Sequence, residues 1–482
     1  MSDISKLVPE NVWSQFDAIT QVPRPSKKEA KIIKFLEDFA ASHNLEYKKD
    51  AVGNVTIMKP ASPGKESLPT VVLQSHMDMV CEKRGDVQFD FENEPIRTKI
   101  VDGWVMAEGT TLGADCGIGM AAELAVLLDD KIAHPAIEAL FTVDEETGLT
   151  GAFNLGEGMI TGKYLINLDS EDEGEIFIGC AGGIGTVASF SYRKEVLPEA
   201  YAWFRAEVSG LKGGHSGDNI DDGLGNSNKI MTRLLIAGEK LGLRLADFDG
   251  GNLHNAIPRE AHAVVGVPVA KADEFKALVA SLGAAVKDEL QYTDAGVQLT
   301  AEECAAPEFV VDADTQHRLL LALEGVPNGV FAMSFAMPGL VETSSNLASV
   351  KFKGDEIVVV LSHRSSLESS KNDVALAAES VFALAGAKVT HNEGYPGWAP
   401  NPNSELLGVV NASYEKLFGK QPKVRAIHAG LECGLFLKMY PWLDMVSFGP
   451  TLRGVHSPDE RIEISTVEKF WDLLVDVLAE IK

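Results

Sequence analysis

Gly109-Thr110-Thr111-Leu112-Gly113-Ala114-Asp115-Cys116-Gly117-Ile118-Gly119-Met120-Ala121 reads as a glycine-punctuated loop that runs into a helix, with one carboxylate, Asp115, at the point of entry. Glycines admit the backbone conformations a tight loop needs, and their missing side chains leave room for close approach. Met120, Leu124, Leu127 and Leu128 then follow at helical spacing. Taken alone, an aspartate before a helix is an N-cap. A larger role for Asp115 depends on which histidines and carboxylates reach the same sheet edge.

Outward from this stretch, short apolar runs end in polar, metal-type residues. Thr70–Gln74 is a buried strand followed by Ser75-His76-Met77-Asp78. Glu138–Val143 is a second, ending in Asp144-Glu145-Glu146, and Tyr164–Leu168 is a third, ending in Asp169. Strands alternating with helical patterns predict an α/β layer with a mainly parallel, mixed sheet flanked by helices. Ligands of such sheets bind beyond the carboxyl ends of the strands. Arg97–Ala107 carries Asp102-Gly103, a two-residue hairpin turn. Ser26-Lys27-Lys28-Glu29 and Ser465-Thr466-Val467-Glu468 have capping-box spacing, the first opening a helix with Ile32, Ile33, Leu36 and Phe39 on one face.

From about Thr186 the texture changes to half-buried strands and longer helices, an α+β pattern whose element order repeats in a way compatible with two related halves. After Tyr395-Pro396-Gly397-Trp398 a helix (404–418), a strand (443–448) and a loop bearing His456 return to the first pattern. The expected organisation is therefore a discontinuous catalytic domain, residues 1–184 and 395–482, with an inserted lid domain, residues 185–394.

At 482 residues the chain exceeds one ordinary core. Its formal net charge of −27 disfavours nucleic acid and anionic membrane surfaces as partners. No run reaches the roughly 20 apolar residues of a membrane span. Five scattered cysteines without a CxxC pair fit reduced thiols, and with the polar N-terminus they predict a cytoplasmic protein.

Imidazole and carboxylate donors suit zinc, cobalt or manganese. His76, Asp115, Glu146, Asp169 and His456 supply a two-metal site if Asp115 bridges, giving each ion one histidine, one further carboxylate and the shared aspartate. Glu145 is then the free carboxylate beside a bridging water, suited to act as general base. Asp78, two residues after His76, suits orientation of the imidazole. Singly, each residue is more readily a surface charge or a core histidine. Jointly, several strand ends bearing such ligands favour the metal site.

Ser75-His76-Met77-Asp78, the Gly-Ala-Asp115 loop, Glu145-Glu146, Asp169 and a late His456 resemble the co-catalytic zinc exopeptidases, a family that includes carnosinases, peptidase T and aminoacylase. Gly210–Gly217, Asn255–Glu260, His428–Gly434 and His456–Glu460 extend the resemblance over the whole chain, nearest to aminoacyl-histidine dipeptidases. The resemblance implies two Zn2+, replaceable by Co2+ or Mn2+, with His76 and Asp169 on one, Glu146 and His456 on the other, and Asp115 on both. It further implies His215 steadying the oxyanion, Asn255 and Arg364 gripping a substrate carboxylate, a cis Asp115–Cys116 peptide, and a homodimer. Cys116 stands where relatives usually carry Asn. The implied activity is hydrolysis of unblocked dipeptides, including Xaa-His and β-alanyl-histidine. An N-acyl-amino-acid deacylase on the same scaffold is the alternative, and a non-catalytic metal-dependent binding protein a more distant one.

Overall fold

The computed structural model describes residues 3–482, which divide into two compact units. The first comprises the chain up to Gly179, Pro400–Ala426 and Leu431–Lys482; the second comprises Cys180–Ala399 and Ile427–Gly430.

An eight-stranded mixed sheet forms the first unit. At its centre Ile137–Thr142, Val71–His76, Tyr164–Asn167 and Asp444–Ser447 lie side by side and parallel. The first three are buried along their whole length. Burial on both faces explains why they read as unbroken apolar runs rather than alternating ones. The helix Ala114–Leu128 packs on Val71–His76 and Ile137–Thr142, and its Ile118, Ala121, Leu124 and Ala125 are all buried. Arg97–Ala107 forms the expected hairpin, with Asp102 and Gly103 both at positive φ.

The second unit is built on one nine-stranded sheet whose assigned pairs are antiparallel. Helices Ser227–Glu239, Ala272–Glu289, Ala313–Gly325 and Glu368–Leu384 share a single core with it, joining Leu234, Phe275, Leu319 and Phe382 to Phe204, Val265, Leu347 and Val359. Asn226 caps the first of these helices by accepting from the N–H groups of Asn228 and Lys229.

Both predicted capping boxes are absent. The second helix begins at Ala30, and Glu29 instead accepts the N–H groups of Lys27 and Asp144. The last helix begins at Ile464, and the Thr466 hydroxyl accepts from the N–H of Thr451. At the first box the Lys27 and Asp144 N–H groups take the Glu29 carboxylate, and at the second Ser465 donates to Glu463 Oε1 at 3.0 Å instead of capping the helix. The strand Arg244–Gly250 escapes the sequence reading because a β-bulge at Ala246 breaks its two-residue alternation.

Within the helix Ala114–Leu128, Glu123 is fully buried and neither carboxylate oxygen meets a hydrogen-bond partner. Burial pushes its carboxyl well above the usual range, with the Ser75 hydroxyl acting in the opposite direction. A folded pKa above the unfolded one means that stability is lost as pH rises beyond the unfolded value of about 4.3. Glu123→Gln should raise the thermal midpoint at pH 8 by about 2 °C or more, and leave it nearly unchanged at pH 4. Parallel pH profiles for the two proteins in scanning calorimetry would contradict this.

Candidate active site

The carboxyl ends of the four parallel strands bring together groups that are distant along the chain. His76 is the last residue of its strand, Glu145 and Glu146 begin a short helical turn after the next, and Asp169 lies two residues beyond the third. His456 sits farther along, on the turn between the short strands Leu452–Arg453 and Arg461–Glu463. Asp115 enters from the helix that crosses the sheet. It does not cap that helix: Asp115 and Cys116 have non-helical dihedrals and Gly113 occupies the cap position. The Asp115–Cys116 peptide is cis.

Asp115 stands between two imidazoles. Its Oδ1 is 3.0 Å from His76 Nε2 and its Oδ2 is 3.2 Å from His456 Nε2. His76 Nε2 also lies 3.3 Å from Asp169 Oδ1, while His456 Nε2 lies 2.9 Å from Glu146 Oε2. The pattern is two nitrogen–carboxylate sets sharing one aspartate. Donor atoms of Asp115, Glu146 and His456 fall within 4.8 Å of one another, as do those of His76, Glu145 and Glu146. Glu146 Oε1 is buried without a hydrogen-bond donor. A buried, unpaired carboxylate oxygen is costly, and a divalent cation beside it removes that cost. The nitrogen and oxygen donor set fits zinc, cobalt or manganese.

Asp78 has two functions in this geometry. Its Oδ1 lies 3.4 Å from His76 Nδ1, and its two oxygens accept the backbone N–H groups of Glu145 and Glu146 at 3.0 and 3.3 Å. One buried carboxylate thus sets the imidazole and the turn that carries both glutamates. Cys116 donates its thiol to the Leu168 carbonyl, and burial pushes its pKa well up.

Charge is unevenly borne. Burial would raise the Asp115 carboxyl, yet hydrogen bonds to His456 and His76 hold it far below the usual range. Asp169 is pushed up to about 6 by burial and by Asp115, against the pull of His76. Burial pushes Glu145 well up; His76 opposes this, while Asp169, Glu432 and Glu146 add to it.

Three residues without a role in the sequence reading belong to this region. Glu432 is buried and accepts from Gln74 Nε2 at 2.7 Å and Thr142 Oγ1 at 2.8 Å. Burial pushes it up to about 7. Gln74 Oε1 in turn accepts from Asn167, whose Oδ1 accepts from Ser447, so a polar rung crosses the parallel strands just behind their ends. Glu460 and Arg24 grip the Asp115 loop. Glu432 and Glu460 lie in stretches that carry the family resemblance, and that was their only signal. Arg24 had none.

In the second unit His215 pairs with Ala256 in a two-stranded ribbon, Gly214–His215 against Ala256–Ile257, and Asn255 directly precedes the second strand, its carbonyl accepting the N–H of Ser216 at 2.9 Å. Arg364 is buried, not solvent-facing; its Nη2 is 3.2 Å from His215 Nε2 and its Nη1 donates to Tyr395 Oη at 3.1 Å. His215 Nδ1 is 3.0 Å from Asp218 Oδ2. His428 pairs with Ser344 at 2.7 Å, and burial beside Arg364 lowers it to about 4, which keeps it neutral.

Hydrogen bonds to Asp115 and Glu146 raise His456 to about 11. His76 is also raised well above its usual value, because the carboxylates of Asp169, Asp115 and Asp78 outweigh its burial. Two entering cations would each displace one imidazole proton. Metal binding should therefore release protons and tighten as pH rises through neutrality. Calorimetry in buffers of different ionisation enthalpy checks this, and a buffer-independent heat would contradict it.

Residues 72–480 match the model of Peptidase family M20/M25/M40. The chain is 43% identical to the cytosol non-specific dipeptidase of Escherichia coli (strain K12), over 100% of this chain and 99% of that protein. It is also 43% identical to the crystal structure of aminoacylhistidine dipeptidase from Vibrio alginolyticus, with a TM-score of 0.95 over 100% of this chain and 98% of the other. The aminopeptidase PepT structure from Bacillus cereus shares the fold at 20% identity and a TM-score of 0.62, covering 98% of this chain and 99% of that one. The buried parallel strands, the donors at their ends and these full-length matches place the chain in Peptidase family M20/M25/M40.

Proposed function

We propose that this chain is a cytoplasmic di-zinc dipeptidase of the aminoacyl-histidine type, cleaving unblocked dipeptides that include Xaa-His and β-alanyl-histidine. The observation that carries the reading is the position of Asp115, one carboxylate oxygen toward each of two histidine–carboxylate sets. The full-length likeness to a non-specific dipeptidase and to an aminoacylhistidine dipeptidase supports the substrate class.

His76, Asp169 and Asp115 would hold one ion, and His456, Glu146 and Asp115 the other. Bound there, two divalent ions would acidify a water and polarise the scissile carbonyl. Glu145 takes a proton from the attacking water and returns it to the departing amine; a carboxyl raised by burial is suited to both transfers. Asp78 keeps the His76 ring and the Glu145 turn in place. Residues 185–394 act as a lid, in which His215 donates to the developing oxyanion. Asn255 and Arg364 grip the substrate carboxylate, for which the planar guanidinium is well shaped. The working unit is a homodimer, and cysteines scattered without a CxxC pair suit a reducing compartment. Among the described residues no helix is long and apolar enough to cross a membrane.

Glu145→Ala should lower kcat by about 10²–10⁴ while bound zinc, measured by plasma mass spectrometry, stays at the wild-type level; near-normal turnover in that variant rules out the base. Arg364→Lys keeps the charge but loses the fork, and should raise KM by about 10-fold. A free dipeptide should be cleaved at least about 100-fold faster than its N-acetylated form, and the reverse preference would establish the deacylase alternative. Light scattering should give twice the chain mass.

A further inference from the structure

Two buried groups that the proposed chemistry leaves unused hold the loop that carries Asp115. Glu460 is 2% exposed. Its Oε2 accepts the backbone N–H groups of Leu112 at 2.7 Å and Gly113 at 3.0 Å, and its Oε1 those of Ala114 at 2.7 Å and Asp115 at 3.4 Å. These donors open the helix Ala114–Leu128 and have no partner within it. Arg24, also 2% exposed, donates to the carbonyls of Met77 at 3.1 Å, Asp78 at 2.7 Å and Gly113. A Cβ on Gly113 or on Gly117 would stand 2.6 Å from Arg24 Nη2, and Gly113 has φ +70°, so glycine at both places makes room for the guanidinium.

Each group ties the Asp115 loop to a different donor-bearing segment. Arg24 binds it to Met77–Asp78, directly after His76. Glu460 binds it to its own segment, four residues after His456. Three segments widely separated in sequence thus share two buried, charge-assisted anchors, and such hydrogen bonds are stronger than neutral ones. We propose that Glu460 and Arg24 are positioning residues that hold the Asp115 carboxylate between His76 and His456 before any cation arrives, so that ion capture does not have to order the loop. An already ordered site gains affinity because less conformational freedom is lost on binding.

This inference rests on the two-metal reading, and the test separates the two. Apoprotein is titrated with Zn2+ by competition calorimetry for wild type, Glu460→Gln and Arg24→Lys. The glutamine keeps the size but turns an amide donor toward backbone donors. In the variants the weaker Zn2+ affinity should fall by about 10–100-fold. Turnover should fall with it and return with excess Zn2+, while KM for a dipeptide stays unchanged. In wild-type apoprotein, hydrogen exchange should find the amides of Leu112, Gly113 and Ala114 protected before Zn2+ is added, a readout independent of any variant's folding. Protection that appears only with Zn2+, wild-type affinity in a folded variant, or lost turnover that excess Zn2+ does not restore, each overturns the positioning role. A wild-type protein that takes up fewer than two ions overturns the two-metal reading and this role with it.

Discussion

Carboxylates crowded into one buried place repel one another, and the first unit is arranged around that repulsion. Asp115, Glu146 and Asp169 share two imidazoles, with Glu145 and Glu432 close behind. In a low-dielectric interior such a group keeps its charges only if cations neutralise them. The two histidines share that load: Asp115 stays ionised because it sits between both, and the carboxyls around it are raised. Asp169 rises to about 6 and Glu171 to about 8, each chiefly through burial and the neighbouring carboxylates. Divalent ions are the economical counter-charge, since each supplies two positive charges without a side chain.

Holding like charges together requires a frame that does not yield. Parallel strands provide it, because their carboxyl ends lie at one edge and their buried apolar faces lock the register. Side chains then tie neighbouring strands just behind that edge, from Thr142 and Gln74 through Asn167 to Ser447. Backbone N–H groups complete the frame by binding carboxylates that bear no substrate. Asp78 takes two of them from the glutamate turn and Glu460 takes four from the Asp115 loop.

The second unit assembles its polar groups by a different logic. His215, Arg364, Tyr395 and Asp218 form a connected set on an antiparallel sheet and its adjoining ribbon. A guanidinium, an imidazole, a phenol and a carboxylate are thereby linked. Arg364 is fixed by Tyr395 and buried, so its fork is presented in one orientation and not swept through solvent.

Local chemistry determined a good deal by itself. Unbroken apolar runs ending in His76, Glu145-Glu146 and Asp169 announced a buried parallel sheet, because only strands covered on both faces dispense with alternation. Asp102-Gly103 announced its hairpin, because that turn needs positive φ at both central positions. The same local rules failed at Ser26–Glu29, where the distant Asp144 N–H takes the Glu29 carboxylate, and at Ser465–Glu468, where the helix starts at Ile464 and Ser465 donates to Glu463. Arg24 was mute, and Glu432 and Glu460 showed only through the family resemblance, for a related reason: nothing within ten residues explains a carboxylate that serves Gln74 from 358 positions away, or a guanidinium that fills the space beside Gly113 and Gly117. Sequence spacing determines which groups a strand or helix can offer. Only the packed chain decides which offered group is bound, since desolvation and hydrogen bonding act through distances in space and are blind to separation along the backbone.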